Sequence, residues 1–284
     1  MVVLPFMLHA QGGTEIYLCK MNFINDKPSL SFPVNITQHP GYDNQPFFHA
    51  SLPVIYYASA KDTATVDIKT YNINTQATEV FVSTDGSEFS PTLTPDGKFI
   101  SCILQKKDGA QNLVKFPVNG GTPVTLIDNL VIGYHAWIND NDLLLFVLDD
   151  TVNNSLHCYN LKTKEDKIII KNPGRSLHKI PGENAMSFVD KSNDKEWLIK
   201  KFNIKTKTIT TITSTLPNAE DMTWLNNGMI LMSDGLSLFY YDTHKPDGWK
   251  KIEMNTDSPA LKGIKRLAVN KENTMLALVA EEVE

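Results

Sequence analysis

Two histidines are the first side chains whose type and spacing could do chemistry. His135 and His178 occupy equivalent places in two consecutive repeats of the sequence, each two residues before a recurring apolar position. Two imidazoles brought together in this way could hold a metal ion beside a carboxylate. The same place in other repeats holds Pro91 and Met222, which favours a structural role for this position over metal binding. We therefore expect no metal site there.

Two pairs of adjacent acidic residues are the next candidates. Asp149-Asp150 and Glu220-Asp221 could bind Ca²⁺ or act as a general acid and base. Adjacent residues of a strand face opposite ways, however, and such pairs in loops are usually solvated. Glu220-Asp221 directly precedes a predicted strand, so it is the stronger candidate of the two.

The motifs that identify common enzymes are missing from the sequence. There is no GxSxG, HExxH, GxGxxG or GxxxxGK[ST] string. An enzyme remains possible, because an active site can collect residues from distant parts of the chain. Only two of the 27 basic residues are arginines, Arg175 and Arg266, and this excludes mechanisms that need three clustered arginines.

Composition narrows the class of protein. The 284 residues are 42% hydrophobic and 21% charged, as in globular proteins. A net charge of -5 argues against a general nucleic-acid binder, which usually carries a basic field. The three cysteines, Cys19, Cys102 and Cys158, are scattered and form no CxxC pair. They are expected to be buried free thiols, and no cofactor is expected.

A repeat of 43–45 residues organises the chain. Its clearest copy covers residues 89–100, where an apolar residue is followed by the polar turn Thr94-Pro95-Asp96-Gly97 and a β-rich segment. Equal spacing of this kind is the signature of a repeat fold. Matching units are centred on Phe48, Leu93, Trp137, Ile180, Trp224 and Val269.

Each unit reads as four short antiparallel strands. After each polar turn comes a short segment rich in β-branched, aromatic or long apolar residues, such as 99–104 or 185–189. A second turn marker, seen at Tyr71-Asn72 and Tyr159-Asn160, separates a third strand from a fourth. No segment shows the 3.6-residue period of a helix. The sequence predicts an all-β protein.

The two ends of the chain complement each other. The first two strands of the unit occur six times, and the chain stops after the sixth pair. The missing third and fourth strands are predicted at residues 14–21, with Asn22 as the turn marker, and 30–36. Pairing them with the C-terminal strands would close a ring and leave no open sheet edge. We expect one domain over residues 11–284.

The unit at residues 89–98, Phe-Ser-Pro-x-x-x-Pro-Asp-Gly-Lys, resembles the WD40-like (PD40) repeat of the TolB-type six-bladed β-propellers. The resemblance covers essentially residues 14–284, with one close repeat and five that match in spacing. It implies a six-bladed β-propeller with four antiparallel strands per blade and a ring closed by the N-terminal strands. The α/β domain that precedes the propeller in TolB has no counterpart in this sequence.

The N-terminal segment predicts export. Residues 1–10 form a short apolar run that ends in the small residue Ala10 and is followed by Gln11-Gly12-Gly13. This pattern is typical of the end of a signal peptide, although the positively charged start is missing. The alternative is an N-terminal edge strand. No stretch approaches the roughly 18 apolar residues of a membrane span, so an exported protein, periplasmic or extracellular, is expected.

Three functions are compatible with these features. The leading hypothesis is a non-enzymatic, monomeric propeller that binds a protein, a peptide or a cell-envelope component. The first alternative is an enzyme with its site over the central channel, such as a polysaccharide lyase or a lactonase-like hydrolase. The second alternative is a structural accessory of an envelope or secretion complex.

The resemblance also predicts where a ligand would bind. In propellers of this family, the segment entering each innermost strand lies at one mouth of the channel, and these segments contain both arginines of this chain. Arginine offers carboxylates a planar bidentate contact that lysine cannot copy. The alternative is that the arginines only form salt bridges with Glu220, Asp221 or Glu88. The predicted mouth consists of Asn44, Glu88, Tyr134, His135, Arg175, Asp221 and Arg266.

Overall fold

The computed structural model describes residues 13–60, 65–149, 154–254 and 261–282. All helix or strand elements in these ranges are β-strands, and there are 26 of them. The all-β prediction is therefore confirmed for the described part of the chain. No helix in these ranges is long and apolar enough to cross a membrane.

Four units of the repeat form separate four-stranded antiparallel sheets, numbered units 2 to 5 by their order in the sequence. In each sheet the strands pair in chain order, so each unit is a simple meander. The strands are β8 (Ser87–Leu93), β9 (Phe99–Gln105), β10 (Gln111–Pro117) and β11 (Val124–Ile127); β12 (Ile132–Trp137), β13 (Asp142–Val147), β14 (Ser155–Asn160) and β15 (Asp166–Lys171); β16 (Pro173–Lys179), β17 (Ala185–Asp190), β18 (Leu198–Asn203) and β19 (Ile209–Ser214); and β20 (Met222–Trp224), β21 (Met229–Ser233), β22 (Leu238–Asp242) and β23 (Lys250–Lys251).

The remaining strands belong to a single ten-stranded sheet that contains both ends of the described chain. Unit 1 is the meander β4 to β7, and unit 6 contains β25, β26 and the N-terminal strand β1. One parallel bridge, between Thr14 and Tyr42, joins β1 to unit 1. The strands are β1 (Thr14–Ile24), β2 (Lys27–Leu30), β3 (Val34–Asn35), β4 (Tyr42–Phe48), β5 (Val54–Ala60), β6 (Asp67–Asn72), β7 (Thr78–Val82), β24 (Glu253–Met254), β25 (Lys265–Val269) and β26 (Met275–Glu281).

The N-terminal strand pairs with the C-terminal one. Thr14 lies opposite Glu281 and Lys20 opposite Met275 in an antiparallel ladder of β1 and β26. Next to the ladder, the amide of Glu282 donates to the carbonyl of Gly13 at 2.8 Å. The first and last described strands of the chain are therefore neighbours in one sheet.

Two details of the predicted N-terminal hairpin are wrong. Asn22 is not at the turn; it lies within β1 opposite Ser29, and the turn is formed by Asn25 and Asp26, both with positive φ. The predicted fourth strand at 30–36 is replaced by the short strands β2 and β3, which both pair with β1. Positive φ at two consecutive Asn and Asp residues is the geometry of a tight two-residue hairpin.

The core lies between neighbouring sheets. The second strands are the most consistently buried, and every residue of β17 and β21 is buried. Side chains of consecutive units interleave, as where Leu144 of β13 packs with Phe188 of β17. Tryptophans also cross between sheets, since Trp137 donates to Ser101 at 2.9 Å and Trp224 to Ser187 at 2.8 Å.

The first strands of the six units contact one another in order. β4 contacts β8, β8 contacts β12, β12 contacts β16, β16 contacts β20 and β20 contacts β25, and β25 contacts β4 again. These six strands are called the first strands below. The site described next is built on them.

Candidate functional site

A cavity of about 460 Å³ lies between the first strands, with residues of all six contributing to its lining. We call it the channel. Its basic residues are Arg175, Lys179 and Arg266, and its one acidic residue is Asp221. The channel wall is otherwise largely apolar, with Phe47, Leu93, Trp137, Ile138, Leu177 and Met222.

A second cavity, of about 340 Å³, adjoins the channel. We call it the outer pocket. It is lined by the segment 217–221, by Trp197 and by residues that enter β25. Besides Leu267, the two cavities share three charged residues, Arg175, Asp221 and Arg266. These three side chains therefore lie where the channel meets the outer pocket.

An irregularity of the first strands turns side chains at this end. In β4, β8, β12, β16 and β25 the register with the second strand shifts near the start of the strand. Gln45, Ser90 and Arg266 lie in three of these bulges with φ between 48° and 56°. A β-bulge redirects side chains and is common next to functional sites.

Arg175 and Asp221 form the centre of the site. The guanidinium donates twice to the carboxylate, from Nε to Oδ1 at 3.1 Å and from Nη2 to Oδ2 at 2.6 Å. This bidentate pairing joins β16 to the segment before β20 and fixes the plane of the guanidinium. The Arg175 side chain nevertheless remains 31% exposed, whereas that of Asp221 is 12% exposed.

Arg266 approaches the same carboxylate from the next unit. Its Nη1 lies 3.5 Å from Oδ1 of Asp221, and its Nη2 donates to the hydroxyl of Tyr134 at 2.7 Å. The guanidinium carbon also stands 4.7 Å from the centre of the Tyr134 ring, a cation–π contact. Units 3, 4, 5 and 6 thus meet at one cluster of four side chains.

The other member of the acidic pair also contacts Arg175. Glu220 lies 3.3 Å from Nε of Arg175 and 3.2 Å from Nζ of Lys191. Lys191 in turn lies over the ring of Trp197, 4.0 Å from its centre. Glu220 and Asp221 therefore act as counterions of basic residues rather than as a general acid and base.

The electrostatics keep this cluster ionised. Burial alone would raise the pKa of Asp221, but Arg266 and Arg175 hold it down to about 2. Burial acts to lower the pKa of Arg175 and of Arg266, because it disfavours the charged form. The negative charge of Asp221 raises the pKa of both guanidiniums. Burial, together with the charge of Arg175, lowers the pKa of Lys265 beside them.

The two candidate histidines line the channel but do not pair with each other. Nε2 of His135 lies 2.7 Å from Oγ of Ser101, and Nε2 of His178 lies 3.0 Å from Oγ of Ser176. Burial lowers the pKa of His135 to about 3 and that of His178 to about 4, so both are neutral at pH 7.

Two residues predicted at the mouth belong elsewhere. Glu88 is fully buried, accepts a hydrogen bond from Thr84 and lines neither cavity. Asn44 uses its side-chain oxygen to accept from the amide of Gln45 at 2.8 Å and also lines neither cavity. Of the seven predicted residues, Tyr134, Arg175, Asp221 and Arg266 form the cluster and His135 lies along the channel.

Three residues near the cluster are not among the seven named in the predicted mouth. Lys265 lines the outer pocket beside Arg266, and Lys191 contacts Glu220 from the loop after β17. Tyr42 of β4 is close enough that Arg266 and Arg175 act on its hydroxyl, whose pKa burial raises. Lys265 and Tyr42 belong to the segments that the sequence predicted at the mouth, at the entry to a first strand, but nothing in the repeat places Lys191.

No metal-binding arrangement is found in the described ranges: no group of three or more His, Cys, Asp or Glu side chains converges there. Cys19, Cys102 and Cys158 are free thiols; the first two are buried, as predicted, and Cys158 is half-buried. Asp150 lies outside the described residues, so the Asp149-Asp150 pair carries no structural description.

No protein-family model matches the sequence, and no curated protein matches it significantly. Solved structures do resemble the fold. A structure from Agrobacterium tumefaciens assigned to TolB is 12% identical, with a TM-score of 0.71 over 96% of this chain and 100% of that chain. A chain of a nidogen/laminin complex is 12% identical, with a TM-score of 0.62 over 94% and 98%.

An oligogalacturonate lyase in complex with manganese is also similar, 11% identical with a TM-score of 0.60 over 89% of this chain and 80% of that chain. At such identities the likeness concerns the fold alone. The fold is that of a β-propeller.

Proposed function

We propose that the chain is a six-bladed propeller, in one domain, whose ring is closed by β1. The cycle of contacts through β4, β8, β12, β16, β20 and β25 supports six blades. The ladder between β1 and β26 supports closure, because it places the N-terminal strand third in the last blade. Closure of this kind removes an exposed sheet edge.

We infer further that the protein is a binding protein without catalytic activity, and that its ligand presents an anionic group to Arg175 and Arg266. The observation that carries this function is the position of the two guanidiniums where the channel meets the outer pocket. The residues that line the channel carry a net charge of +2, whereas the whole chain has a net charge of -5.

The hydrogen bonding of Arg175 leaves room for such a ligand. Asp221 occupies Nε and Nη2, whereas Nη1 has no hydrogen-bond partner among the described residues. Asp221 also fixes the orientation of the guanidinium before a ligand arrives, which reduces the ordering cost of binding. An apolar wall next to a cationic end suits an extended peptide or chain end that carries a carboxylate.

The partner is a protein, a peptide or a cell-envelope component. Export to the periplasm or the cell exterior is part of this proposal, on the sequence pattern of residues 1–10. The protein would act as a monomer that holds its partner at the mouth of the channel.

The double change Arg175→Lys and Arg266→Lys tests the site, because it keeps both charges and loses the bidentate geometry. Wild-type and variant protein are titrated calorimetrically with short apolar peptides that end in a free carboxylate or in an amide. We expect the wild type to prefer the free carboxylate, and the variant to bind it at least about tenfold more weakly. Equal affinities of the two proteins would contradict the site assignment. If the variant then melted at a lower temperature, the arginines would only hold the blades together.

The enzyme alternative rests on the likeness to the oligogalacturonate lyase. An acidic saccharide would suit the same guanidiniums. The protein is incubated with oligogalacturonate, with and without Mn²⁺, and the ultraviolet absorbance of the unsaturated product is followed. Turnover that disappears in the double lysine variant would replace the binding function by a lyase; we expect none.

A further inference from the structure

Two consecutive blades, numbered as the units above, each carry a pair of lysines in the equivalent turn. The turn between β14 and β15 contains Lys162 and Lys164, and the turn between β18 and β19 contains Lys205 and Lys207. All four side chains are exposed. We call these four residues the lysine turns.

The lysine turns lie at the opposite end of the propeller from the arginine cluster. The arginine cluster is at the start of the first strands, and an antiparallel meander places the turn between third and fourth strands at the other end. Lys179, the exposed last residue of β16, marks that far end in blade 4. It lies four residues beyond Arg175, about 13 Å along the strand.

The second lysine of each pair has a strained backbone. Lys164 and Lys207 both have φ of 61°, a region that costs a residue with a Cβ about 1 kcal/mol or more. The equivalent turn of blade 2 has Gly120 at positive φ, where no such cost arises. Gln76 holds the same position in blade 1 with φ of 59°, so the positive φ belongs to the turn, and lysine is the residue that blades 3 and 4 place there.

Charge is concentrated in the same part of the chain. Residues 162–207 contain 12 basic and 6 acidic residues, a net charge of +6, whereas the remaining 15 basic and 26 acidic residues give -11. Four lysines of this region are neutralised by ion pairs: Lys167 with Glu165 at 2.6 Å, Lys191 with Glu220 at 3.2 Å, Lys200 with Asp190 at 2.6 Å and Lys201 with Glu183 at 3.0 Å.

The lysine turns and Lys179 keep their charge free. In the described part of the chain none of these five lysines forms an ion pair within 4.0 Å, and the unpaired acids at this end of blades 3 and 4 are Asp140 and Asp142. Lys207 and Lys167 both act on the thiol of Cys158. The lysine turns of both blades and Lys179 lie at the same end of the propeller.

We propose that this end of the propeller docks on a membrane surface rich in anionic phospholipid. Lysine is a flexible point charge that suits a dense, mobile array of phosphates better than a single defined ligand. The channel reaches this end with Pro95, Ile138 and Lys179. The lysine turns themselves line neither cavity, so they offer a face of exposed turns rather than a groove for a polymer. Docking this way directs the channel mouth away from the membrane.

The test is sedimentation with vesicles of phosphatidylcholine, pure or mixed with phosphatidylglycerol. The variant Lys162→Gln/Lys164→Gln/Lys205→Gln/Lys207→Gln removes the lysine turns; glutamine is tolerated at this φ, as Gln76 shows in blade 1. The control Lys106→Gln/Lys107→Gln/Lys195→Gln/Lys262→Gln makes the same charge change at four exposed lysines of the mouth end. Since one lysine is worth about fivefold in partitioning, we expect the first variant to bind at least about fiftyfold more weakly.

The wild type should bind only vesicles with phosphatidylglycerol, release them at high salt and match the control variant. Equal losses in both variants would mean that net charge and not this face is responsible, and would overturn the proposal. No preference of the wild type for phosphatidylglycerol would do the same. Binding of soluble polygalacturonate through the lysine turns, without vesicle binding, would replace the membrane by an acidic polysaccharide.

Discussion

At the scale of single residues, Asp221 organises the site. Its carboxylate accepts from Arg175 and lies within ion-pair distance of Arg266, and through Arg266 it is linked to Tyr134. Two guanidiniums without this carboxylate would repel each other at short range. Asp221 therefore holds together charges from three blades and sets the orientation in which they meet a ligand.

Asp221→Asn is expected to lower the free energy of unfolding by about 3 kcal/mol, because it leaves the largely buried Arg266 without its counterion and Arg175 with Glu220 alone. The folded-state pKa of Asp221, about 2, lies below the ordinary 3.8. Its stabilisation is therefore fully present above pH 3.8 and is lost as the pH falls through about 2. Urea unfolding of both proteins at pH 7 and at pH 2 measures this.

The control is Asp247→Asn, which removes an exposed carboxylate paired with Lys250. It should unfold at the same urea concentration as the wild type. If Asp221→Asn behaved like this control, the carboxylate would not be the centre of the cluster.

His135 makes a second residue-scale prediction. Its folded-state pKa, about 3, lies below the ordinary 6.5 because of burial. The unfolded chain therefore takes up a proton between pH 6.5 and 3 that the folded chain does not, and stability falls as the pH falls. The titration of His135 should therefore lower the free energy of unfolding by about 2 kcal/mol as the pH falls from 7 to 5.

Other groups titrate in the same range, so the measurement is a difference. His178 acts in the same direction, whereas burial raises the pKa of Asp43 to about 6, which adds stability as the pH falls. His135→Gln should lose less stability than the wild type between pH 7 and pH 5, and the exposed His244→Gln should lose as much. Identical losses in all three proteins would contradict a neutral, buried His135.

At the scale of elements, the repeat made most of the strands predictable. Polar turns separate short apolar segments, and the predicted strands at 99–104 and 185–189 each differ by one residue from β9 and β17. The split of the predicted fourth strand into β2 and β3 was not predictable, because no other unit has a hairpin of this length.

The site was predictable only in part, for a geometric reason. Equivalence between units located Arg175, Asp221 and Arg266 at one end of the first strands. A bulge shifts the register near the same point in five of these strands, and a shift of one residue turns a side chain to the other face. Glu88 and Asn44 lie just before such bulges and face away from the cavities.

The turn between β18 and β19 gives a prediction at this scale, because only one of its two lysines has a positive φ. Lys207→Gly should raise the free energy of unfolding by about 0.5 kcal/mol or more, since glycine removes the cost of positive φ. Lys205→Gly, two residues earlier and outside the positive-φ positions, should lower it by about 0.5–1 kcal/mol through greater flexibility of the unfolded chain. Guanidinium unfolding distinguishes the two, and a loss in both would show that the turn is unstrained.

At the scale of the whole molecule, the proposed functions divide the propeller into two ends. The end at the start of the first strands carries the arginine cluster and the outer pocket, and the other end carries the lysine turns. One rigid ring of sheets would then hold a ligand at one end while the other end rests on a charged surface.

The proposed ring closure gives the last prediction, which concerns the whole molecule. A chain that begins at Leu30 lacks β1, so β26 loses the ladder that runs from Thr14 to Lys20. The free edge of β26 is apolar and fully buried over 276–280 in the intact protein. Such an edge pairs with other chains, and the truncated protein should aggregate and melt at a lower temperature.

A circular permutant supplies the control, because the amide of Glu282 lies 2.8 Å from the carbonyl of Gly13. Residues 13–29 are attached after Glu282 through a short Gly-Ser linker, so that the new chain begins at Leu30 and ends at Ser29. The strand returns to β26 as one side of a hairpin, and the permutant should be monomeric in light scattering with a melting temperature close to that of the wild type. A monomeric truncated chain, or a permutant that aggregates as the truncated chain does, would show that β1 does not close the ring.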